Sequence, residues 1–418
     1  MDGARHSTPA VRAAHGAARL HILIMSDRDW THPQGGGTGT NLHAQVTRWL
    51  QWGHRVSIIA CSYPGAPACE RIGDLTLHRV GGRSTVFPRA IVRQWRGLVP
   101  DADVVLEVVN GITFLTPLWC RTPRVTLVHH IHRQHFVREM GPKGHLAALA
   151  LETLPLRLLY GRSRFLTISR ASARDIAAHG IDPARIEVSY LGVEQDEFGP
   201  DPTMRATEPT LLYLGRLKRY KRIEVVLDVL ERNPGAVLEL AGEGDHHAAL
   251  EAEIDARGLS ERVRMHGYVS EERKLELYQR AWVNITTSSA EGWGLSVTEA
   301  GACATPSAAL RLGGLAEAID DGRTGILADD PAELGEKVGR VLADPALRDA
   351  LGRRALARAS EFRWDATARR TLQLLDDQRR LAHPGAPPAM GLEPMDAGTN
   401  TGHLASERLP ITGDAMPA

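Results

Sequence analysis

Short apolar runs separated by turn-rich polar stretches set the pattern along the chain. Residues 20–25 (LHILIM) are followed by THPQGGGTGTN, and then Leu42, Val46, Trp49 and Leu50 fall at helical spacing over 42–51. Gly53 ends that helix and residues 56–61 (VSIIAC) resume as a strand. Further buried-strand candidates lie at 104–108, 125–128, 165–168 and 186–190. Apolar runs alternating with helical stretches predict a parallel sheet covered on both faces, that is, a doubly wound half. A second series opens at 210–214 (TLLYL), after the polar stretch GPDPTMRATEP, which reads as a linker. It continues through 236–241, 263–266 and 282–286. Two successive α/β halves predict a ligand cleft between them, at the carboxyl ends of both sheets.

The ends differ from this pattern. Residues 1–18 read as a loose extension, and 383–418, rich in Pro, Gly, Ala and Met, as a disordered tail. The halves then run over 19–198 and 199–364, with a helix at 365–382 expected to cross back to the first.

Composition narrows the function. Among 418 residues, Lys plus Arg number 50 and Asp plus Glu number 50, so the net charge is zero. That balance excludes a general nucleic-acid binder, which needs a basic surplus, but leaves room for a local basic patch. The four cysteines lack CxxC spacing, so neither a disulfide framework nor a zinc site is expected. No apolar run reaches 18 residues, and 20–25 is too short for a signal-peptide core; a cytoplasmic protein is the expectation.

Four constellations offer chemistry. The glycine loop Gly35-Gly36-Gly37-Thr38-Gly39 lets backbone N–H groups approach an anion at a helix start, or makes only a tight turn. It lacks the Gly-Lys-Ser/Thr of a phosphate-binding loop, and the next strand ends in Ala60-Cys61 without the acid that would meet a dinucleotide ribose. After the strand at 210–214, Gly215-Arg216-Leu217 and Lys221 present a planar fork and a point charge fit to clamp a diphosphate, or else form a solvated basic face with Lys218, Arg219 and Arg222. The third, Glu291-Gly292-Trp293-Gly294-Leu295 up to Glu299, suits one carboxylate on sugar hydroxyls, amides on phosphate, and a second carboxylate on a ribose; surface charge is the plain alternative. The fourth is His129, His130 and His132, more suited to hydrogen bonding than to a metal, since neighbouring side chains of a strand point oppositely. The Asp27/Asp29 and Asp101/Asp103 triplets read as loop charge. No metal site is expected.

Taken together these residues resemble the retaining, nucleotide-sugar-dependent glycosyltransferases of family 4, with the GT-B fold. The resemblance covers most of 20–380 and is strongest over 212–327. It rests on Glu291 and Glu299 separated by seven residues within EGWGLSVTEA, on the Gly215-Arg216-Leu217…Lys221 segment, on AGEGD with Gly242 and Gly244, on LGGLAEAIDDGRTGIL, and on GHRV after the glycine loop. Ala304, in ACATP, stands where relatives usually carry glycine.

The resemblance implies two Rossmann-like doubly wound parallel-sheet domains facing a cleft, with 19–198 taking the acceptor and 199–364 the donor. It also implies that Arg216 and Lys221 neutralise the donor diphosphate, that Glu291 holds sugar hydroxyls and Glu299 the ribose, and that amides around Gly292, Trp293, Gly294 and Leu295 touch sugar and phosphate. Gly36 and Gly37 are its paired glycines, and His129 its cleft histidine, with His130 and His132 close enough to compete. No cofactor is implied beyond the nucleoside-diphosphate sugar, which is a substrate. The acceptor is a sugar, a lipid-linked sugar or a small metabolite. The basic, partly apolar stretch 132–164 adds peripheral membrane contact as an expectation. A nucleotide-sugar epimerase, an NAD-dependent oxidoreductase or a silent sugar-nucleotide-binding module are the competing readings.

Overall fold

The structure, a computed structural model, describes residues 17–132 and 141–392. Arg133 and Arg138, which belong to the basic stretch 132–164, lie outside them.

Eight strands build the first sheet: β1 (His21–Met25), β2 (Arg55–Ala60), β3 (Cys69–Ile72), β4 (Leu75–Arg79), β5 (Val104–Val109), β6 (Arg124–Val128), β7 (Arg164–Thr167) and β8 (Ile186–Val188). Their order is β3-β4-β2-β1-β5-β6-β7-β8, parallel except for the β3–β4 hairpin at one edge. Neither hairpin strand was expected. β3 alternates exposed and half-buried residues, and alternation over so short a run gives little signal.

The second sheet holds β9 (Thr210–Leu214), β10 (Val237–Ala241), β11 (Val263–Gly267), β12 (Val283–Thr286), β13 (Ser307–Leu310) and β14 (Gly325–Ala328), in the order β11-β10-β9-β12-β13-β14 and parallel throughout. In each sheet the chain reverses its direction of travel beside the first strand, between β1 and β5 and between β9 and β12. Such switch points open a crevice at the strands' carboxyl ends, because the flanking helices leave on opposite faces.

Alternate residues of β5 define two faces of the first sheet. Leu106 and Val108 pack with the helix Gly36–Gln51 and with Leu372 and Leu375 of the helix Trp364–Ala382. The indole N–H of Trp49 donates to the Ala368 carbonyl at 3.0 Å, pinning that last helix to the first half. Val105 and Val109 face the opposite layer.

The tail expectation needs one correction. Residues 383–392 are folded back on the first half: Ala18 bridges Ala389, which is fully buried, and the Met390 carbonyl meets His54 Nε2 at 2.9 Å. Small residues without periodicity look disordered in sequence, yet they fit a groove whose polar partners are already in place.

The two halves join where the chain crosses between them. Val193 N–H donates to the Phe362 carbonyl at 3.2 Å, and Arg48 holds Glu194 and Asp365, one carboxylate on each crossing. Glu317 of the second half accepts backbone N–H groups of Arg170 (2.9 Å) and Ala171 (2.6 Å), capping a helix of the first half.

Candidate active site

In the second half the site grows from the loops after β9 and β12. The first makes a single 3₁₀ turn, Arg219–Lys221, ending at Arg222 in the left-handed region. The second loop stitches onto it. Thr287 Oγ1 donates to the carbonyls of Lys221 (3.0 Å) and Arg222 (2.8 Å), and Ser289 N–H to that of Tyr220 (2.8 Å). These bonds fix the direction in which Lys221 leaves the backbone. Its ammonium meets Glu291 Oε2 at 2.6 Å, and Ser288 Oγ donates to the same oxygen at 3.1 Å.

Burial opposes charge on both members of this pair. The Lys221 ammonium and the Ser288 hydroxyl nevertheless hold the Glu291 carboxyl below its ordinary 4.5, and Glu291 holds Lys221 above 10.5. The sign follows directly. The contribution of Glu291 is complete above 4.5 and lost as pH falls through its lowered value; that of Lys221 is complete below 10.5 and lost as pH rises through its raised one. Across the neutral range both are charged.

Arg216 is exposed and makes no ion pair among the described residues; its guanidinium is 3.1 Å from Tyr220 Oη. It points across the crevice. A Cβ at Gly36, which has φ +57, would lie 3.4 Å from Arg216 Cζ, and one at Gly37 would lie 3.6 Å from Leu295 Cδ1. A side chain at Gly36 would be strained and would crowd the guanidinium. Gly36 and Gly37 are therefore the first residues of the helix Gly36–Gln51, not a loop before it. Their poor helix propensity hid this from the periodicity.

The structure thus brings Gly36, Gly37, Gly215, Arg216, Lys221, Glu291 and Leu295 to one crevice. Gly292 also faces it, with its Cα against the His129 carbonyl of the first half. Gly294, with φ +101, caps the helix Leu295–Ala302, whose first N–H groups have no side-chain cap.

Other expected residues serve differently. Gly242 and Gly244 lie against the backbone of 215–217, where a side chain would overlap the carbonyl oxygens of Gly215 and Leu217; they hold that loop in place. The Trp293 ring is almost wholly buried, 4.6 Å from Tyr190 and 4.9 Å from Phe362 between ring centres, so it packs the junction of the halves instead of lining the crevice. Its indole N–H is buried without a hydrogen-bond partner among the described residues. Glu299 accepts from Tyr278 Oη (2.8 Å) and Lys274 Nζ (3.2 Å), both on the helix Glu271–Arg280. Lys274 and Tyr278 were missed, although their i, i+4 spacing on a helix was readable.

On the first half, His129 ends β6 and is 4% exposed. Its Nε2 accepts from Asn41 Nδ2 at 2.9 Å, and Asn41 Oδ1 accepts from Gln45 Nε2 at 2.7 Å. The proton then sits on Nδ1, which has no partner among the described residues. Burial, followed by repulsion from His130 and His132, pushes His129 down to about 3, so it is neutral and can only donate a hydrogen bond. His132 N–H donates to both oxygens of the buried Glu152 (2.8 and 3.0 Å), and the His130 and His132 rings stack at 4.1 Å. Asp27 and Asp29 correct the loop-charge reading. Asp29 is fully buried against Arg79 at 3.0 Å, and Asp27 accepts from Asn110 Nδ2 (2.7 Å) and Arg28 Nε (2.8 Å). Charged residues after a strand look solvated in sequence; their partners come from distant strands.

Family profiles match both halves: "Glycosyltransferase Family 4" over 35–197 and "Glycosyl transferases group 1" over 194–358. A D-inositol 3-phosphate glycosyltransferase of Paenarthrobacter aurescens is 30% identical over 63% of this chain and 70% of its own length. The chain belongs to glycosyltransferase family 4. A protein of the same description from Acidothermus cellulolyticus is 33% identical over 52% of this chain, and that match spans about half (55%) of the relative's length. Among solved structures, sucrose-phosphate synthase from Thermosynechococcus elongatus has TM-score 0.74 at 21% identity, covering 85% of this chain and 98% of that one. Anabaena HepE in complex with UDP has 0.68 at 18%, covering 86% and 100%. These likenesses establish the GT-B fold for this family 4 chain.

Proposed function

We propose that this family 4 chain transfers a hexosyl group from a nucleoside-diphosphate sugar to an acceptor hydroxyl, with retention of anomeric configuration and without a metal. The observation that carries the reading is the crevice pairing of Lys221 with Glu291 beside Arg216, which makes no ion pair among the described residues and faces the glycines of the other half. The bond between the anomeric carbon and the diphosphate oxygen breaks, and its electron pair leaves with the diphosphate. Arg216 and Lys221 are fixed cations for that growing charge, as preorganised charge requires no solvent rearrangement. The acceptor oxygen bonds to the same face of the sugar, and its proton passes to the leaving phosphate.

Glu291 accepts from sugar hydroxyls, and Glu299 from the ribose. His129 Nδ1–H supplies a neutral donor from the acceptor side. Closure of the halves excludes water and so limits hydrolysis. Relatives named for D-inositol 3-phosphate favour a small polyol acceptor. Peripheral contact of 132–164 with a membrane's inner face belongs to the same reading; no helix among the described residues is long and apolar enough to cross a membrane.

A thermal-shift titration with UDP, GDP, ADP and NAD, each with and without EDTA, tests this. At a ligand concentration about 100 times Kd the expected stabilisation is about 2.7 kcal/mol. A shift with one nucleoside diphosphate that survives EDTA is the expected result and names the donor base. A shift with NAD alone, or one abolished by EDTA, overturns it.

A further inference from the structure

The helix Val86–Trp95 lies on the layer of the first sheet opposite the helix Gly36–Gln51, where Val86, Phe87 and Ala90 pack on Val105. The segment 142–159 covers the same layer further along, with Leu156 and Tyr160 on Val109, four residues after Val105 on β5. Two residues separated by an even number on one strand face the same way. The two helical segments therefore share a layer, and their outward sides form one surface. The turn Thr116–Trp119 sits between β5 and β6 on this layer, with Trp119 packed beneath it.

That surface is unusual in two respects. Large apolar side chains stand in solvent: Trp95 is 77% exposed, Leu118 64%, Leu146 and Leu158 71% each, with Leu149 and Leu154 beside them. A run of such side chains on one layer exceeds the scattered leucines of an ordinary surface. Its charge is also strongly biased, with Asp175 of the neighbouring helix Arg170–Ala178 as an exposed acid at its margin. Residues 80–100 hold four arginines and no acid, and 141–164 hold one acid, Glu152, which is buried. Arg89, Arg93, Arg96, Lys143, Arg157 and Arg162 make no ion pair among the described residues. In a chain of zero net charge, cations have been gathered on the layer that also exposes its hydrophobes.

We infer that this layer docks on an anionic lipid surface, with Trp95 and the leucines entering the headgroup boundary and the arginines meeting lipid phosphates. The inference extends the membrane contact in the functional reading to a second helix and names the lipid chemistry. A nucleic acid would match the charge but leaves the leucines unburied. A second copy of the chain would set like charges against each other. A predominantly basic face carrying a tryptophan and leucines fits a bilayer interface, where apolar insertion and anionic headgroups act together. Glu152 adds a mechanical link. It lies in the π-helical turn Leu149–Thr153 of the docking segment, and its carboxylate holds the backbone of His132 just beyond His129. The docked surface and the acceptor side of the crevice are therefore parts of one unit.

Vesicle co-sedimentation tests the inference with the full chain. Binding to phosphatidylcholine vesicles containing phosphatidylglycerol is expected at 50 mM salt, with little binding to phosphatidylcholine alone and weakening at 300 mM. Each cation near an anionic surface changes affinity by about fivefold, so the triple variant Arg89→Glu, Arg93→Glu, Arg96→Glu loses on the order of a hundredfold or more. A second variant, Leu146→Ser, Leu154→Ser, Leu158→Ser, weakens binding while keeping its salt dependence. No binding of the unmodified protein at 50 mM salt overturns the inference. So does undiminished binding by the triple variant, or preferential retention on a DNA or RNA fragment. The nucleoside-diphosphate thermal shift, measured on the same samples, stays unchanged in every variant; its loss in the unmodified protein would instead count against the transfer reading.

Discussion

On the C-terminal side of the crevice the polar groups are charged and close to solvent: Lys221 pairs with Glu291, and Arg216 stands exposed. On the N-terminal side the groups at the strand ends are neutral or buried, with His129 on Asn41 and Asp29 sealed against Arg79, while cations crowd the outer layer. The halves share one architecture and spend their charge in different places. A diphosphate needs fixed cations at the point where negative charge grows. An acceptor hydroxyl needs shape and neutral hydrogen bonds.

Four experiments would break or sharpen this contrast. The largest effect is expected at the junction. Trp293→Ala removes a ring packed by Tyr190 and Phe362 and should destabilise by about 3–5 kcal/mol in thermal unfolding. Trp293→Phe should retain most of that stability and near-normal turnover; a tenfold loss of turnover in a stable Trp293→Phe protein would return the ring to the donor site. Next, Arg216→Ala and Lys221→Ala should each lower turnover on the order of 10²–10³-fold; unfolding stays unchanged in Arg216→Ala, whereas Lys221→Ala is also destabilised because the Glu291 carboxylate loses its cation. Unchanged turnover in both would remove the clamp.

The third concerns pH. The folded state keeps His129 unprotonated down to about 3, whereas the unfolded chain takes up that proton below 6.5. Stability should fall with pH below 6.5 by about 1.4 kcal/mol per unit from this residue, a loss that His129→Asn relieves. An equal slope in both proteins would mean that His129 is not buried in its neutral form. The smallest effect is at Ala304, which has φ +56 just past the helix Leu295–Ala302. Ala304→Gly should stabilise by about 1 kcal/mol, a rise of about 1 °C in Tm. A fall would show that the methyl group packs usefully.

Much of the crevice was legible before any coordinates. The strands at 104–108 and 210–214 stood out because parallel strands buried on both faces must be apolar throughout. Lys221 and Glu291 could be singled out by their place after β9 and β12, and Ala304 by the glycine that relatives carry there. What stayed hidden depended on partners distant in sequence. The helical start at Gly36 has the composition of a loop, and only the approach of Arg216, 180 residues away, explains why glycine stands there. Trp293, amid glycines and glutamates, looks like a ligand contact until Tyr190 and Phe362 close over it. The edge hairpin of β3 and β4 was too short for its alternation to register.

The sequence by itself determined the two α/β halves, the place of the crevice and the ionisable residues available to it, because periodicity and strand-end position are local properties of the chain. The tertiary structure alone decided which carboxylates are paired, which histidine nitrogen lacks a partner and which glycines make room for other chain segments. It also decided that two basic helices separated by some fifty residues, Val86–Trp95 and Pro142–Ala148, lie on one layer. Burial, pairing and shared faces depend on distances between segments, and those distances are set only when the sheets are assembled.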